Sequence, residues 1–483
     1  MKRTRSARGA LALALLLMAG CAVDQSKEVA FYRQVLDEGS RQPVVAALSP
    51  GKPLGLKDVL AIANAHNEGL AMAGEDFLQA LIAKDRAFAR FMPTIGFAPA
   101  FMREEKSTYA DLNALMAKLV PEEYLDLPFQ VGMQVNPVLD GAMVMTAQST
   151  AESRRAALLD RQSVLFLDVA QTFFLVMTAE KRVSVLENSV RAQEQRVADM
   201  KVRREAGVER ILDVAREEAR LARIRRDLIQ AKTDAANGRS MLALLIGVPK
   251  LESPLESGFE PPAQEPAEER LLALAAARRQ DLQMAHANIT AAAHALQAAW
   301  GEYYPSVSLN LGSYISRESF PDDVNWTSLI RVNVPIFTAG LVHSDVRAAY
   351  SRLRQANLAE SYVSRKVRKE VFVALSDLSN DAGRLEQLLV ETKAASEAVR
   401  QAQVAFEAGM GTNLEYLIAQ DTLLGADLAL TEARFKKSVD YLRLLAAVGA
   451  LDAGLSPPDD PNGAGAAPAS PPHAAKAVET LGG

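Results

Sequence analysis

The chain has 483 residues, 49% of them hydrophobic, and a net charge of −5 at neutral pH. That length and apolar content can build a large structure, and the acidic balance gives no footprint of a nucleic-acid partner. A single cysteine, Cys21, excludes an intrachain disulfide, and the five histidines lack zinc-ligand spacing.

Lys2, Arg3, Arg5 and Arg8 precede a short apolar run, Ala10 to Ala19. Residues 1–20 therefore read as a signal peptide. Cys21 follows Leu17-Met18-Ala19-Gly20, which resembles a bacterial lipoprotein cleavage and acylation box. That resemblance implies a covalent lipid on Cys21 and, because Ala22 rather than aspartate follows, an outer-membrane address. The plain alternative is an ordinary signal peptide with a chance cysteine. Residues 21–54 then form a mixed arm with Pro43, Pro50 and Pro53. No later run reads as long and apolar enough for a transmembrane helix.

A helical pattern covers about 56–90, and a strand is expected at about 91–102. Ile95, Phe97 and Phe101 lie on one face of it, with Thr94, Gly96, Ala98 and Ala100 on the other. A polar loop, 103–128, leads to a second alternating strand at about 130–139. From Ala142 to Ala206 there is no glycine or proline, so one helix of roughly 100 Å is expected at helical rise. Gly207 breaks it, a shorter helix returns to Ile246, and Gly247-Val248-Pro249 stops that. Residues 248–268 form a Pro-rich linker. The pattern then restarts: a helix at about 269–302, strands at about 306–315 and 326–335, a long helix at 341–408, a break at Gly409 and a helix to Val448. Residues 450–483, rich in Pro, Gly and Ala, read as a disordered tail.

The restart is an internal repeat of 55–247 in 269–449. Leu70 and Leu282 share one sequence offset with Pro93 and Pro305. Gly207 and Gly409 share another with Gly247 and Gly449. At that second offset Val183, Leu186, Val190, Val197 and Met200 fall on Leu385, Leu388, Thr392, Val399 and Ala402. Spacings of three and four mean coiled-coil packing.

Four strands with one apolar face each suit a transmembrane β-barrel. Val131, Met133, Val135, Val307, Leu309, Leu311, Ile330, Val332 and Val334 are assigned to lipid. Gln130, Gln134, Ser308, Asn310, Arg331 and Asn333 are assigned to the lumen. Tyr303, Tyr304, Tyr314 and Trp326 lie near strand ends, where interfacial aromatics belong. A soluble four-stranded sheet on helices is the plain alternative, but such long helices are out of proportion to one small sheet. Four strands cannot close a barrel, so copies must share it; two, three or four copies give eight, twelve or sixteen strands. In each half the two shorter helices together match the long one. They can stack end to end beside it, with their junction and the linker at mid-height.

The layout resembles the TolC-like outer-membrane efflux protein family, over about Leu56 to Ala450. It carries Arg279-Gln280-Asp281-Leu282, Tyr304-Pro305-Ser306, Val334-Pro335-Ile336-Phe337 with Gly340, and Ala408-Gly409 followed by Thr412, Glu415 and Leu417. The resemblance implies a mostly α protein with a membrane β-barrel: a homotrimer, a shared twelve-stranded barrel and a periplasmic α-barrel. It implies a passive conduit, with no enzymatic activity and no cofactor, docked on a periplasmic adaptor and an inner-membrane efflux transporter. A type I protein secretion channel, a barrel-less coiled-coil adaptor and a lipid-anchored enzyme are the other readings. No convergent polar constellation supports the enzyme, and drugs, metals and proteins all remain open as cargo.

The hairpin tips are the expected closure. Gly207, Gly409 and Gly411 are candidate hinges, and Asp213 and Glu415, with Arg210, are candidate gate residues. A plainer role competes: Thr412-Asn413-Leu414-Glu415 is a capping box, and Arg210 can pair with Asp213. Basic runs at Arg203-Arg204 and at Arg365-Lys366-Val367-Arg368-Lys369 read as solvated helix faces.

Overall fold

The computed structural model describes residues 25–40, 53–103, 123–259, 261, 267–319 and 321–452. Cys21, the signal peptide, most of the loop after 103 and the tail beyond Asp452 lie outside the described residues.

The elements in chain order are α1 (Ser26–Ser40), α2 (Leu56–His66), α3 (Glu68–Ala89), β1 (Thr94–Phe97), β2 (Ala100–Arg103), β3 (Glu123–Asp126) and β4 (Pro128–Val135). They continue with α4 (Pro137–Glu205), α5 (Ile211–Leu245), α6 (Glu268–Arg278), α7 (Gln280–Gly301), β5 (Ser306–Tyr314), β6 (Trp326–Asn333), α8 (Leu341–Glu407) and α9 (Asn413–Ala447). The order helix, helix, strands, long helix, returning helix thus occurs twice.

One antiparallel sheet runs β1-β4-β5-β6. Directly paired residues share a face, and the register aligns the apolar ones. Met133, Leu309 and Ile330 form one row, and Val135, Val307 and Val332 another. Gln134, Ser308 and Arg331 form a polar row, Asn310 pairs with Leu329, and Asn333 pairs with Ser306. Gln130, Gln134, Asn310, Arg331 and Asn333 therefore lie on one face, as the alternation requires. Most of the apolar face is uncovered in the protomer, with Ile95, Ile330 and Val332 exposed, but Val135, assigned to lipid, is buried at the end of β4 beside the helices.

Several expected boundaries move. The strand expected at 91–102 is split into β1 and β2 around Ala98-Pro99, because proline cannot donate to a ladder. β2 instead pairs with β3 in a separate two-stranded ladder, which alternation alone did not reveal. The strand expected at 130–139 ends at Val135. Asn136 caps α4 there: its Oδ1 accepts from Leu139 N at 3.1 Å, its N donates to Asp140 Oδ2 at 2.7 Å, and Pro137 takes the first helical position. The strands expected to 315 and 335 end at Tyr314 and Asn333, so Val334 lies just outside β6. α4 also carries an 18-residue window with mean hydropathy 1.4, half of it buried. This is contrary to the expectation of no such run; the apolar side of α4 is the stripe on which other helices pack.

The helix expected at 56–90 is two helices broken at Asn67, and that expected at 269–302 is broken at Arg279. The cause is tertiary. Asn67 is extended, caps Leu70 N at 2.8 Å, and donates from Nδ2 to Leu245 O at 2.9 Å. Gly247 approaches so closely that a Cβ there would lie 2.4 Å from His66 O. In the second half Arg279 donates to Ala447 O at 3.3 Å and bridges Asp281 and Glu370 at 2.6 and 2.8 Å. Each returning helix therefore docks its end at the break between the two shorter helices, and α3 and α5 stack along α4 as expected.

The largest apolar cluster surrounds these junctions, with Phe166, Phe173 and Phe174 fully buried. The arm contributes α1, which the sequence pattern did not reveal. Tyr32 packs where a Cβ on Gly74 would meet its ring at 2.6 Å. Leu54 bridges Leu255, so arm and linker meet at this level. A buried charge knot also joins α8 to α9: Lys436 donates to Asp381 at 2.8 Å and to Asp440, and Arg443 donates to Asp440 at 2.8 Å. Burial raises the Asp381 carboxyl above its ordinary range. Burial also pushes Asp440 up, but the bonds with Lys436 and Asp381 and the Lys436 and Arg443 charges together outweigh it and hold that carboxyl below its usual range.

The face assignment has a direct test. Leu309 sits mid-strand between Met133 and Ile330. A charge on a lipid face costs ~2–4 kcal/mol at mid-bilayer. Leu309→Arg should sharply lower the yield of membrane-inserted protein while Asn310→Arg leaves it near wild type. The opposite ranking would reverse the faces.

Candidate functional site at the hairpin tips

Each long helix ends in a glycine with a left-handed backbone, Gly207 (φ 76°) and Gly409 (φ 73°). Val208 N donates to Arg203 O and Gly207 N to Arg204 O, both at 2.9 Å. Met410 and Gly409 repeat this with Ala405 and Phe406 at 2.9 and 3.1 Å. This is the Schellman pattern, which satisfies the last carbonyls and stops the helix with a defined turn. Gly411 lacks a left-handed φ, and its N donates to Ala405 O at 3.0 Å.

The named acidic residues serve the helix starts. Thr412 N donates to Glu415 Oε2 at 2.8 Å, and Glu415 N donates to Thr412 Oγ1 at 3.2 Å. The capping box is complete and Glu415 is exposed. Asp213 is 3% exposed, held by Arg210 Nε at 2.9 Å and Arg216 Nη1 at 3.3 Å. Among the described residues, no hydrogen bond or ion pair joins Asp213 to Glu415.

What the fold brings together lies one to two turns further in, between the two hairpins. From the first, α4 supplies Gln193 and Arg196, and α5 supplies Glu217 and Arg220. From the second, α8 supplies Phe406, and α9 supplies Asn413, Tyr416, Gln420 and Asp421. Arg220 donates to Asp421 Oδ1 at 2.8 Å and to the side-chain oxygens of Gln193 and Gln420. Glu217, fully buried, accepts from Gln193 Nε2 at 2.6 Å. Arg196 donates to Asn413 Oδ1 at 3.1 Å. Its guanidinium also lies 4.5 and 4.8 Å from the ring centres of Phe406 and Tyr416.

This clasp combines a buried ion pair, Arg196 with Glu217, and a half-exposed one, Arg220 with Asp421, with cation–π contact, and it is incompletely satisfied. Arg196 Nε and Glu217 Oε1 are 3.7 Å apart, and both, like Asn413 Nδ2, are buried without a hydrogen-bond partner. A buried polar atom left unpaired costs roughly 1–3 kcal/mol. Wetting the clasp recovers part of that, so it can hold the hairpins together and still release them. That is a property of a switchable contact rather than of a permanent core.

Periodicity alone passes over the clasp. Its signal is a gap in the coiled-coil series: Gln193 occupies the core position between Val190 and Val197, and Glu217 and Arg220 interrupt Val214, Leu221 and Ile224. Polar residues at core positions cost stability but fix register and partner.

Known proteins share this architecture. A family profile described as "Outer membrane efflux protein" matches residues 78–248 and 271–450. The chain is 26% identical over 341 residues to "Outer membrane efflux protein BepC" of Brucella suis, covering 67% of this chain and 72% of that protein. It is 20% identical over 310 residues to "Probable outer membrane lipoprotein SilC" of Salmonella typhimurium, covering 62% and 66%. The crystal structure of the outer membrane protein VceC from Vibrio cholerae superposes with a TM-score of 0.72 at 18% identity, over 82% of this chain and 96% of that one.

The clasp and the cap are separable by hydrogen exchange. Arg220→Ala leaves buried Gln193 short of its partner and should lower the opening free energy of both tips by about 1–3 kcal/mol. Glu415→Ala should cost about 1 kcal/mol, confined to the first turn of α9. Faster exchange in both hairpins for Glu415→Ala, and in neither for Arg220→Ala, would show that the clasp does not hold them.

Proposed function

The chain belongs to the outer membrane efflux protein family, and on that premise we propose that three copies pool their sheets into one twelve-stranded barrel above a helical tube. The protein is an outer-membrane channel component of a tripartite efflux system in a Gram-negative envelope. Its family is one of transport proteins rather than enzymes. The observation that carries the assembly is the sheet itself, four strands with two edges unpaired among the described residues and a largely uncovered apolar face. Lipid accepts such strands only in a closed barrel.

In this reading residues 1–20 are removed and Cys21 carries the lipid, which mass spectrometry of the mature N-terminus would detect. The described parts of the arm, 25–40 and 53–54, and of the linker belt the tube at mid-height, and residues 55–247 and 269–449 carry its two wall segments. No cofactor is needed. A periplasmic adaptor and an inner-membrane pump supply the docking and the energy, while the tube is passive. The resting tips are shut by the Arg196 and Arg220 clasp. Arg210, Asp213 and Glu415 hold the helix starts beside it, and Gly207 and Gly409 set the turns.

Purified protein in a planar bilayer should conduct ions without nucleotide and spend most of its time closed. Arg220→Ala with Asp421→Ala should raise the open fraction, whereas Asp213→Ala with Glu415→Ala should change it little. A silent bilayer for both wild type and clasp variant would contradict the channel; an open fraction moved only by the second pair would relocate the gate.

A further inference from the structure

The order of elements leaves the same two sides of the protomer unfinished at every height. In the sheet the outer strands are β1 and β6. Directly below it the helices pack in the order α3, α4, α7, α8, and further down in the order α5, α4, α9, α8. α3 leads into β1, and β6 leads into α8. One free side is thus β1 with α3, the other β6 with α8. The upper outer helices carry stripes that fit each other.

On α3, Leu70, Gly74 and Phe77 are buried, while Met72, Asp76, Gln79 and Ala83 are exposed. On α8, Val342, Val346 and Ala349 pack toward α7, while Arg347, Ser351, Arg354, Leu358 and Tyr362 are exposed. At about 100° per residue each exposed stripe lies roughly 150° or more from the packed one. That is the angle a member of a ring of helices needs between its two neighbours.

The stripes also agree in depth. α3 ends at the sheet with Ala89, and α8 starts there with Leu341. Residues equally distant in sequence from these ends lie at equal depth, because both rise by about 1.5 Å per residue. The protomer obeys this counting within itself: Gln162 of α4 bonds Asn64 at 2.8 Å, Ser153 of α4 meets Asn288 of α7 at 2.7 Å, and His286 of α7 faces Glu360 of α8 at 3.6 Å. Each of these pairs matches in depth to within about one helical turn. By the same counting Met72 matches Leu358, Asp76 matches Arg354, and Glu68 matches Tyr362. Met72 and Leu358 are 66% and 71% exposed, and each lies within the exposed stripe of its own helix. Neither Asp76 nor Arg354 has an ion-pair partner among the described residues.

Resting on the channel reading, we infer that α8 of one copy packs on α3 of the next in a fixed register, with Leu358 on Met72 and Arg354 paired to Asp76. The contact is heterologous: one copy offers its β6–α8 side and the next offers its β1–α3 side, so the ring closes only head to tail. An even number of strands per copy keeps the pairing antiparallel across the joint. The salt bridge sets the register, because a one-turn slip would move Arg354 off Asp76 and set Leu358 against a polar position.

Cysteine cross-linking in isolated outer membranes tests this. Met72→Cys with Leu358→Cys in one chain should give a ladder of covalent dimer and trimer under mild oxidation. Either substitution alone should give none, and coexpressing the two single variants should give dimer only. Met72→Cys with Arg347→Cys, displaced by about three turns, should stay uncross-linked. Asp76→Arg should reduce the assembled fraction several-fold, and adding Arg354→Asp should restore it. An assembled, conducting protein in which the Met72–Leu358 pair does not cross-link would overturn this contact and leave the channel standing. So would cross-linking by one single variant, since that requires an isologous joint. A monomeric, non-conducting protein would overturn both.

Discussion

Among the described residues, no strand pairs with the outer edges of β1 and β6. In water such edges cost little; in hydrocarbon each unmet group costs several kcal/mol. In the proposed assembly that constraint makes the chain complete itself with copies, and the rest of the architecture follows. The apolar face can stay bare because it meets lipid. In the same assembly another copy covers the exposed Leu358 and Met72 of the outer helices. The helices below must then form a wall, since each continues directly from a strand of the closed barrel.

A wall of helices much longer than the barrel is tall needs bracing. The mid-height junction supplies it: Gly247 seated on His66, Arg279 tied to Ala447, Asp281 and Glu370, and the aromatic cluster of Phe166, Phe173 and Phe174. Further toward the tips the apolar clusters are smaller, and polar contacts take over. Stability thus falls from junction to tip. That gradient lets the far end move while the barrel stays fixed, because local opening draws on the regions with least buried apolar contact.

How much of this was legible in the sequence depended on whether a feature was set locally. The alternation of Val307, Leu309 and Leu311 fixes both strand and face, and the register then carries Gln134, Ser308 and Arg331 to one side. The glycines at 207 and 409 stop their helices by backbone conformation alone. The breaks at Asn67 and Arg279 were not legible, because distant residues impose them: the ends of α5 and α9 press into segments whose own pattern is continuously helical. α1 was hidden in a mixed arm whose sequence pattern did not reveal a helix. The clasp was hidden for the opposite reason. Gln193, Glu217 and Arg220 break an apolar stripe, so the periodicity that revealed the helices passed over the residues that join them. Glu415, in contrast, sits in a capping box that could be read directly.

The proposed barrel, wall and gate all require that one chain be a third of a barrel. Native mass spectrometry of the protein, extracted from outer membranes in mild detergent and released from its micelle, measures that directly. A shared twelve-stranded barrel predicts a particle of three chains that resists dilution. A stable particle of one chain that retains its β-structure would contradict it.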